Sequence, residues 1–171
     1  VEVASRHDDA LVIGADTIVV LDGDVLGKPA DAGDAARMLR SLSGRTHEVY
    51  TGFCIIERPG DRSAGDFEKT LVTFRALGDG EIDRYVRSGS PMDKAGAYGI
   101  QGFGATIVER IEGDYFSVMG LGLRRLVALL ARVRRMARLA TVACPAGVEL
   151  GEVDRCEQDP QRKPFQTGRR A

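Results

Sequence analysis

The sequence has few of the residues that stabilise small secreted proteins. Its 171 residues include no tryptophan, six prolines and three cysteines. The cysteines at positions 54, 144 and 156 are widely spaced and form no CxxC pair, which argues against a disulfide framework or a structural zinc site. We therefore expect a reducing, cytoplasmic setting. Cys54 lies in an apolar run, so we expect it to be a core thiol.

An excess of charge of one sign and long apolar runs are also missing. The chain has 24 basic and 25 acidic residues, a formal net charge of -1, which gives no general attraction to nucleic acid or to an anionic membrane. No apolar run approaches the ~20 residues that span a bilayer. The charged first ten residues contain no apolar signal-peptide core. We expect neither nucleic acid nor a membrane as a partner.

Apolar patterning predicts an α/β domain with mixed strand directions and flanking helices. The predicted strands are 10–13, 18–21, 46–56, 67–74 and 105–111, with a polar interruption at 14–17 and a tight turn at 22–24. The predicted helices are 29–43, 79–87 and 119–138. Asp31 or Asp34 would cap the first helix, and Gly44 would end it.

The apolar spacing also predicts which faces of two helices are buried. The inward residues of the first helix would be Ala35, Met38, Leu39 and Leu42. Those of the last helix would be Leu123, Leu126, Val127, Leu130 and Val133. The domain would span residues 1–138. Residues 139–171 contain three of the six prolines and one aromatic residue, and we expect a poorly ordered tail because they can bury little apolar surface.

Two charged residues stand at positions where charge is unfavourable without a partner. Asp16 follows an apolar strand, where a carboxylate could hold a divalent cation or accept a proton from water. The alternative is an aspartate that caps its local turn. Lys28 directly precedes a helix N-terminus, where an anion shared with the helix would relieve the conflict with the helix dipole. The alternative is a solvated surface lysine.

Two loops add further candidates. Residues 43–46 (SGRT) place Arg45 on a glycine turn, which suits a phosphate or carboxylate and equally a plain helix stop. The loop 88–104 has five glycines and carries Asp93, Lys94, Tyr98 and Gln101. Lys94 could bind phosphate, and the amide of Gln101 could read the edge of a base. The alternative is a series of turns with a structural glutamine.

The histidines and most arginines suggest structural roles. His7 and His47 have no neighbouring ligand residues and are not expected to bind metal; His47 would pack on a strand. No aromatic platform accompanies the arginines of the last helix, which favours a solvated face over a nucleic-acid site. These arginines are at positions 124, 125, 132, 134, 135 and 138.

Six motifs follow one another along the chain. They are GADT at 14–17, LGKP at 26–29, LSGRTH at 42–47, VYTG at 49–52, DKAGAYGIQG at 93–102 and EGDY at 112–115. Together they resemble the Maf family of nucleoside triphosphate pyrophosphatases over about residues 1–133. The resemblance implies a fold related to inosine triphosphate pyrophosphatases, with two lobes around a cleft and often a homodimer. It also implies hydrolysis of nucleoside triphosphates to monophosphate and pyrophosphate with a divalent metal, Mg²⁺ or Mn²⁺.

The resemblance carries over to individual residues. Asp16 would hold the metal and accept the proton of the attacking water, and Lys28 and Lys94 would hold phosphate. Thr17 and Gln101 match positions tied to base selection. The glutamine at position 101 resembles the residue found at this position in the subfamily that acts on dTTP and UTP. The subfamily that acts on 7-methyl-GTP usually differs there. We add Arg45 as a substrate-binding candidate.

The chain also departs from the family pattern. Family members usually carry a strand, an SxSPRR-like loop and a glutamate ahead of the GADT motif, and none of these precedes Asp16. We expect about 50 residues to be absent by this comparison. One hypothesis is an enzyme acting on dTTP and UTP, with modified pyrimidine nucleotides as further substrates. The second is a nucleotide-binding protein without turnover, and the third is part of a longer, ordinary enzyme.

Overall fold

One twisted sheet organises the residues that the computed structural model describes, which are 2–60 and 62–143, with side chains as far as Arg135. The strands are β1 (Ala10–Leu21), β2 (Asp24–Leu26), β3 (Thr46–Arg58), β4 (Arg62–Phe74) and β5 (Val108–Glu112). The helices are α1 (Ala32–Leu42), α2 (Asp79–Arg87), α3 (Tyr115–Val118) and α4 (Leu123–Ala143). Short 3-10 turns lie at Ala4–Arg6, Ala95–Ala97 and Gly102–Thr106.

The sheet is antiparallel at every pairing within the described residues. Its strand order is β2-β1-β3-β4-β5. The α/β class is therefore confirmed, but mixed strand directions are wrong for this part of the chain. Short turns join β1 to β2 and β3 to β4, and strands connected so tightly must run antiparallel.

Two strands are longer than the sequence predicted. β1 continues through residues 14–17, where we expected an interruption, because it pairs with β3 from Ala10↔Arg58 to Val20↔Glu48. β4 begins at Arg62 rather than at residue 67, and it pairs with β3 over the added residues. Polar and glycine residues are accommodated there because one face of the sheet is open to solvent.

The C-terminal half of the predicted pattern needs three corrections. The 3-10 turn Gly102–Thr106 replaces the first half of the predicted strand 105–111. The predicted helix 119–138 is present as α4 but begins four residues later, at Leu123, because the chain turns at Gly120, where φ is +119°; the short helix α3 before this turn was not predicted. In α4, Leu123 and Val127 are exposed, whereas Leu126, Leu129 and Val133 are buried.

The arginines and the tail can be compared only in part. Arg124, Arg132, Arg134 and Arg135 are exposed, as expected, whereas Arg125 is half-buried beside Glu68. The side chain of residue 138 lies outside the described side chains. α4 extends to Ala143, and the rest of the predicted tail lies outside the described residues.

Alternation along β3 determines which of its residues are buried. Its odd-numbered side chains His47, Val49, Thr51, Phe53 and Ile55 point into the protein. Cys54 points to the opposite face and is exposed, so the expectation of a core thiol is wrong. An apolar neighbourhood in sequence cannot distinguish the two faces of a strand, since successive side chains alternate between them.

Two apolar clusters cover that face of the sheet. In one, α1 and α2 pack on the strands through Leu39, Leu42, Phe74 and Tyr85. In the other, α4 packs against Phe53 and Ile55. The inward face of α1 and its cap at Asp31, which accepts a hydrogen bond of 2.8 Å from the Asp34 amide, are as predicted. Among the described residues, no helix is long and apolar enough to cross a membrane.

Candidate active site

One cavity of about 540 Å³ collects most of the candidate residues. It lies between β1, the segment after β2, the glycine-rich loop and the turn between α3 and α4. Five of the six candidates line it: Asp16, Thr17, Lys28, Lys94 and Gln101. These residues come from separate segments of the chain, and the sheet and its loops bring them together.

Arg45 is the candidate that the fold places elsewhere. Its guanidinium pairs with the carboxylate of Asp22 at 2.6 Å, and Arg45 does not line the cavity. The hydroxyl of Ser43 accepts a hydrogen bond of 2.8 Å from the Leu77 amide. The SGRT segment therefore ends α1 and contacts the stretch between β4 and α2. This contact favours the plain helix stop over the anion site among the two interpretations of this segment.

Asp16 and Thr17 lie side by side on β1 but point to opposite faces of the sheet. β2 pairs only with Val19–Leu21, so in the described residues this part of β1 has β3 on one side alone. Asp16 is exposed, and its Oδ1 accepts a 2.9 Å hydrogen bond from the amide of Thr17. Asp16 thus makes a local hydrogen bond to the backbone, as in the alternative of an aspartate that caps its turn, but here the bond lies in a strand. Within the described residues, the second carboxylate oxygen has no protein partner.

The two lysines approach each other because a backbone hydrogen bond joins their loops. The amide of Gly96 donates to the carbonyl of Gly27 at 3.0 Å. A side chain at Gly96 would be excluded, since its φ is +68° and a Cβ would lie 3.0 Å from Val19. This close approach places Lys28 and Lys94 on one wall of the cavity.

Asp93 forms an ion pair with Lys94 and lies within the electrostatic influence of Lys28. The Lys94 ammonium donates to Asp93 at 2.6 Å and to the carbonyl of Ser90 at 3.1 Å. The hydrogen bond from Lys94 lowers the pKa of the Asp93 carboxyl, and the charge of Lys28 adds a smaller effect. Lys28 itself has no ion pair within the described residues, so the wall presents a cation that is free to meet an anion.

The helix N-terminus near Lys28 lies outside the lining of the cavity. Asp31 accepts from the Asp34 amide, and the Asp34 carboxylate accepts from the Ala30 amide at 3.1 Å. The Asp31 carboxylate thus satisfies one amide of the first turn of α1, and no residue of α1 lines the cavity. An anion shared between Lys28 and the helix end stays a prediction.

A buried pair holds the glycine-rich loop against the sheet. The Nε2 atom of His47 lies 2.7 Å from the hydroxyl of Tyr98, and both side chains are at least 95% inaccessible to solvent (relative exposures 2% and 5%). Burial lowers the pKa of His47 to about 4 and raises that of Tyr98. His47 thus packs on a strand, as predicted. Gln101 follows this anchored stretch, and its exposed amide has no hydrogen-bond partner among the described residues.

Sequence reasoning missed two parts of the site. It named Asp93 without a role, and it did not place Val118, Met119 and Gly120 at the cavity. The turn between α3 and α4 comes to β1 through the packing of both helices on the sheet. No local pattern signals this contact.

The cavity lacks a ready-made metal cage within the described residues. They contain no group of three histidine, cysteine, aspartate or glutamate side chains arranged to hold a metal ion. Asp16 and Asp93 are the carboxylates that line the cavity. This donor set fits a hard cation such as Mg²⁺, which proteins commonly bind through one or two carboxylates while ligand phosphates and water complete its coordination.

The fold and the cavity together define a class of protein. It is an α/β protein with an open site that combines two ammonium groups, a free carboxylate and an unpaired amide, which suits a polyanionic ligand that also carries hydrogen-bonding groups. Residues 1–133 match the family model described as Maf-like protein, and the chain belongs to the Maf family. The resemblance stated from the motifs is thereby confirmed.

Curated relatives agree with this family. A protein of Dictyoglomus thermophilum is 49% identical over 132 residues, which are 77% of this chain and 68% of that protein. A protein of Moorella thermoacetica is 55% identical over 129 residues (75% and 66%), and one of Deinococcus radiodurans is 51% identical over 128 (75% and 65%). Each is named dTTP/UTP pyrophosphatase. The chain spans about two thirds of the length of these relatives.

Proposed function

We propose that this protein hydrolyses dTTP and UTP to the nucleoside monophosphate and pyrophosphate. The observation that carries the proposal is the assembly of Asp16, Thr17, Lys28, Lys94 and Gln101 around one cavity. Relatives named dTTP/UTP pyrophosphatase support the same substrates. Modified pyrimidine nucleotides would be further substrates.

The two lysines supply the electrostatic part of the reaction. Cleavage between the α and β phosphates builds negative charge on the departing pyrophosphate, and positioned ammonium groups stabilise that charge. Lys28 has no protein counterion in the described residues, whereas Lys94 must share its ammonium between Asp93 and the ligand. We assign Lys28 and Lys94 to the phosphates.

Asp16 supplies the base. Its carboxylate is exposed at the cavity and can accept the proton that the attacking water loses. The same carboxylate would hold a divalent cation, Mg²⁺ or Mn²⁺, which supplies charge neutralisation at the phosphates when bound. Thr17 and Gln101 would contact the base, because both line the cavity and Gln101 offers a donor and an acceptor.

Further features belong to the same proposal. We propose a cytoplasmic protein with two lobes around the cleft, which acts as a homodimer. A second candidate function is nucleotide binding without turnover. The observation behind it is that Lys28, Lys94 and Gln101 line the cavity and can hold a nucleotide whether or not Asp16 activates water.

The test is pyrophosphate release by the full 171-residue chain from dTTP, UTP, CTP and 7-methyl-GTP, with Mg²⁺ or Mn²⁺. We expect release from dTTP and UTP, and its loss by about a hundredfold or more in Asp16→Asn, as for removal of a general base. Asp24→Asn is the matched control, because Asp24 is exposed on β2 and does not line the cavity. Unchanged turnover in Asp16→Asn would refute the assigned base. Nucleotide binding without release from the folded wild type would favour the second function.

A further inference from the structure

A chain of hydroxyl groups runs from the cavity into the protein. The Oγ1 of Thr17 lies 2.8 Å from the Oγ1 of Thr51, its partner on β3. The Thr51 hydroxyl also lies 2.6 Å from the carbonyl oxygen of Ser117 in α3, next to the cavity-lining Val118. Thr51 and Ser117 are fully buried, whereas Thr17 is half-buried and lines the cavity.

The direction of these hydrogen bonds is determined by the groups involved. A carbonyl oxygen can only accept, so Thr51 donates its single hydroxyl hydrogen to Ser117. Thr51 then has only lone pairs left for its neighbour. Thr17 must therefore donate its own hydrogen to Thr51, which leaves only lone pairs on an oxygen that lies beside the cavity-lining Gly120.

The Ser117 carbonyl is held in place by its own contacts. The Ser117 amide donates to the Asp114 carboxylate at 2.8 Å, which caps α3. The Asp114 amide donates to the hydroxyl of Thr70 at 3.0 Å, and the Ser117 hydroxyl lies 3.2 Å from the same Thr70 oxygen. Thr70 is also fully buried. This network prevents the carbonyl from turning away from Thr51, so the polarity of the chain is built into the fold.

We infer that Thr51 is a positioning residue that makes Thr17 a hydrogen-bond acceptor, and that Thr17 thereby selects the N3–H imide of uracil or thymine. This inference rests on the proposed function. Phosphate oxygens offer only lone pairs at neutral pH and cannot satisfy Thr17. Cytosine also presents a lone pair at N3, whereas uracil and thymine present a hydrogen there. The unpaired amide of Gln101 can pair with a neighbouring carbonyl of the same base.

The experiment measures dissociation constants for UTP, CTP and N3-methyl-UTP by calorimetry on the full chain, with EDTA present to suppress turnover. The wild type should bind UTP about tenfold to a hundredfold more tightly than either of the other nucleotides, as expected when a buried polar group loses its partner. In Thr51→Val, Thr17 regains a free hydrogen for cytosine N3. The preference for UTP over CTP should then fall by about tenfold, and Thr51→Ser should restore it.

Thr73→Val is the matched control. It removes a similar cross-strand threonine bond, 2.9 Å from Thr46, away from the cavity, and it should leave the preference unchanged. Equal wild-type affinity for UTP and N3-methyl-UTP would overturn the inference while leaving the proposed function intact. If Thr51→Val weakened the binding of all nucleotides equally, Thr51 would have a merely structural role, and the inference would also be overturned. No nucleotide binding by the wild type, in EDTA or with Ca²⁺ in its place, would overturn the inference, whereas the proposed function is overturned by the absence of pyrophosphate release with Mg²⁺ or Mn²⁺. If Thr51→Val does not fold, the comparison of UTP with N3-methyl-UTP on the wild type still tests whether the site requires the N3–H group.

Discussion

Acidification should destabilise this protein through one histidine. His47 has 2% relative exposure, and its ring neighbours are Phe74 and Tyr98, with centroids 5.0 and 5.3 Å away. Its Nδ1 has no hydrogen-bond partner in the described part of the chain. Burial lowers its pKa from 6.5 to about 4. The folded protein therefore keeps His47 neutral at a pH where the unfolded chain protonates it.

The sign and size of the effect follow from proton linkage. Between pH 6.5 and 4 the unfolded chain binds one more proton at His47, so the free energy of unfolding falls as the pH falls. With 1.36 kcal/mol per pKa unit, the shift removes about 2 kcal/mol between pH 7.5 and pH 5. Lowered carboxyl pKa values, such as that of Glu81 beside Arg75, act below this window. The stabilisation is fully present above the unfolded pKa of His47.

The assay is urea denaturation followed by circular dichroism at pH 7.5, 6.5, 5.5 and 5.0. The wild type should lose about 2 kcal/mol over this range, and His47→Gln, although less stable at pH 7.5, should lose little of its remaining stability. His7→Gln is the control, because His7 is exposed, and it should behave as the wild type. A wild-type stability that stays flat from pH 7.5 to 5, or a slope that persists in His47→Gln, would refute the reasoning.

Two further predictions concern local backbone geometry. Gly96→Ala should cost about 1–3 kcal/mol of unfolding free energy, because φ is +68° and the new Cβ would press on Val19; the nucleotide dissociation constant should also rise as the Lys28 and Lys94 loops separate. Gly80→Ala, inside α2 with nothing within 4 Å of the new Cβ, should be neutral or slightly stabilising. Equal effects of the two substitutions on urea denaturation would contradict this account. Asp31→Ala should lower the free energy of unfolding by about 1 kcal/mol, because it removes the N-cap of α1. Thermal denaturation would detect this change as a lower midpoint, and an unchanged midpoint would show that the cap contributes nothing.

Some features of this protein follow from the sequence alone. The buried face of α1, its cap at Asp31 and the bounds of α2 (Asp79–Arg87) depend on contacts within a few turns of chain, which local patterns encode. The family could be identified because its motifs are long and ordered. These motifs also named five of the residues that line the cavity.

Other features were decided only by tertiary structure. Cys54 is exposed because the alternation of β3 places it on the open face, and Arg45 leaves the site because Asp22 binds its guanidinium. The approach of Lys28 to Lys94 depends on the backbone bond from Gly96 to Gly27. The acceptor role inferred for Thr17 depends on a carbonyl far along the chain. Such long-range contacts arise when whole elements pack together, so no short stretch of sequence can specify them.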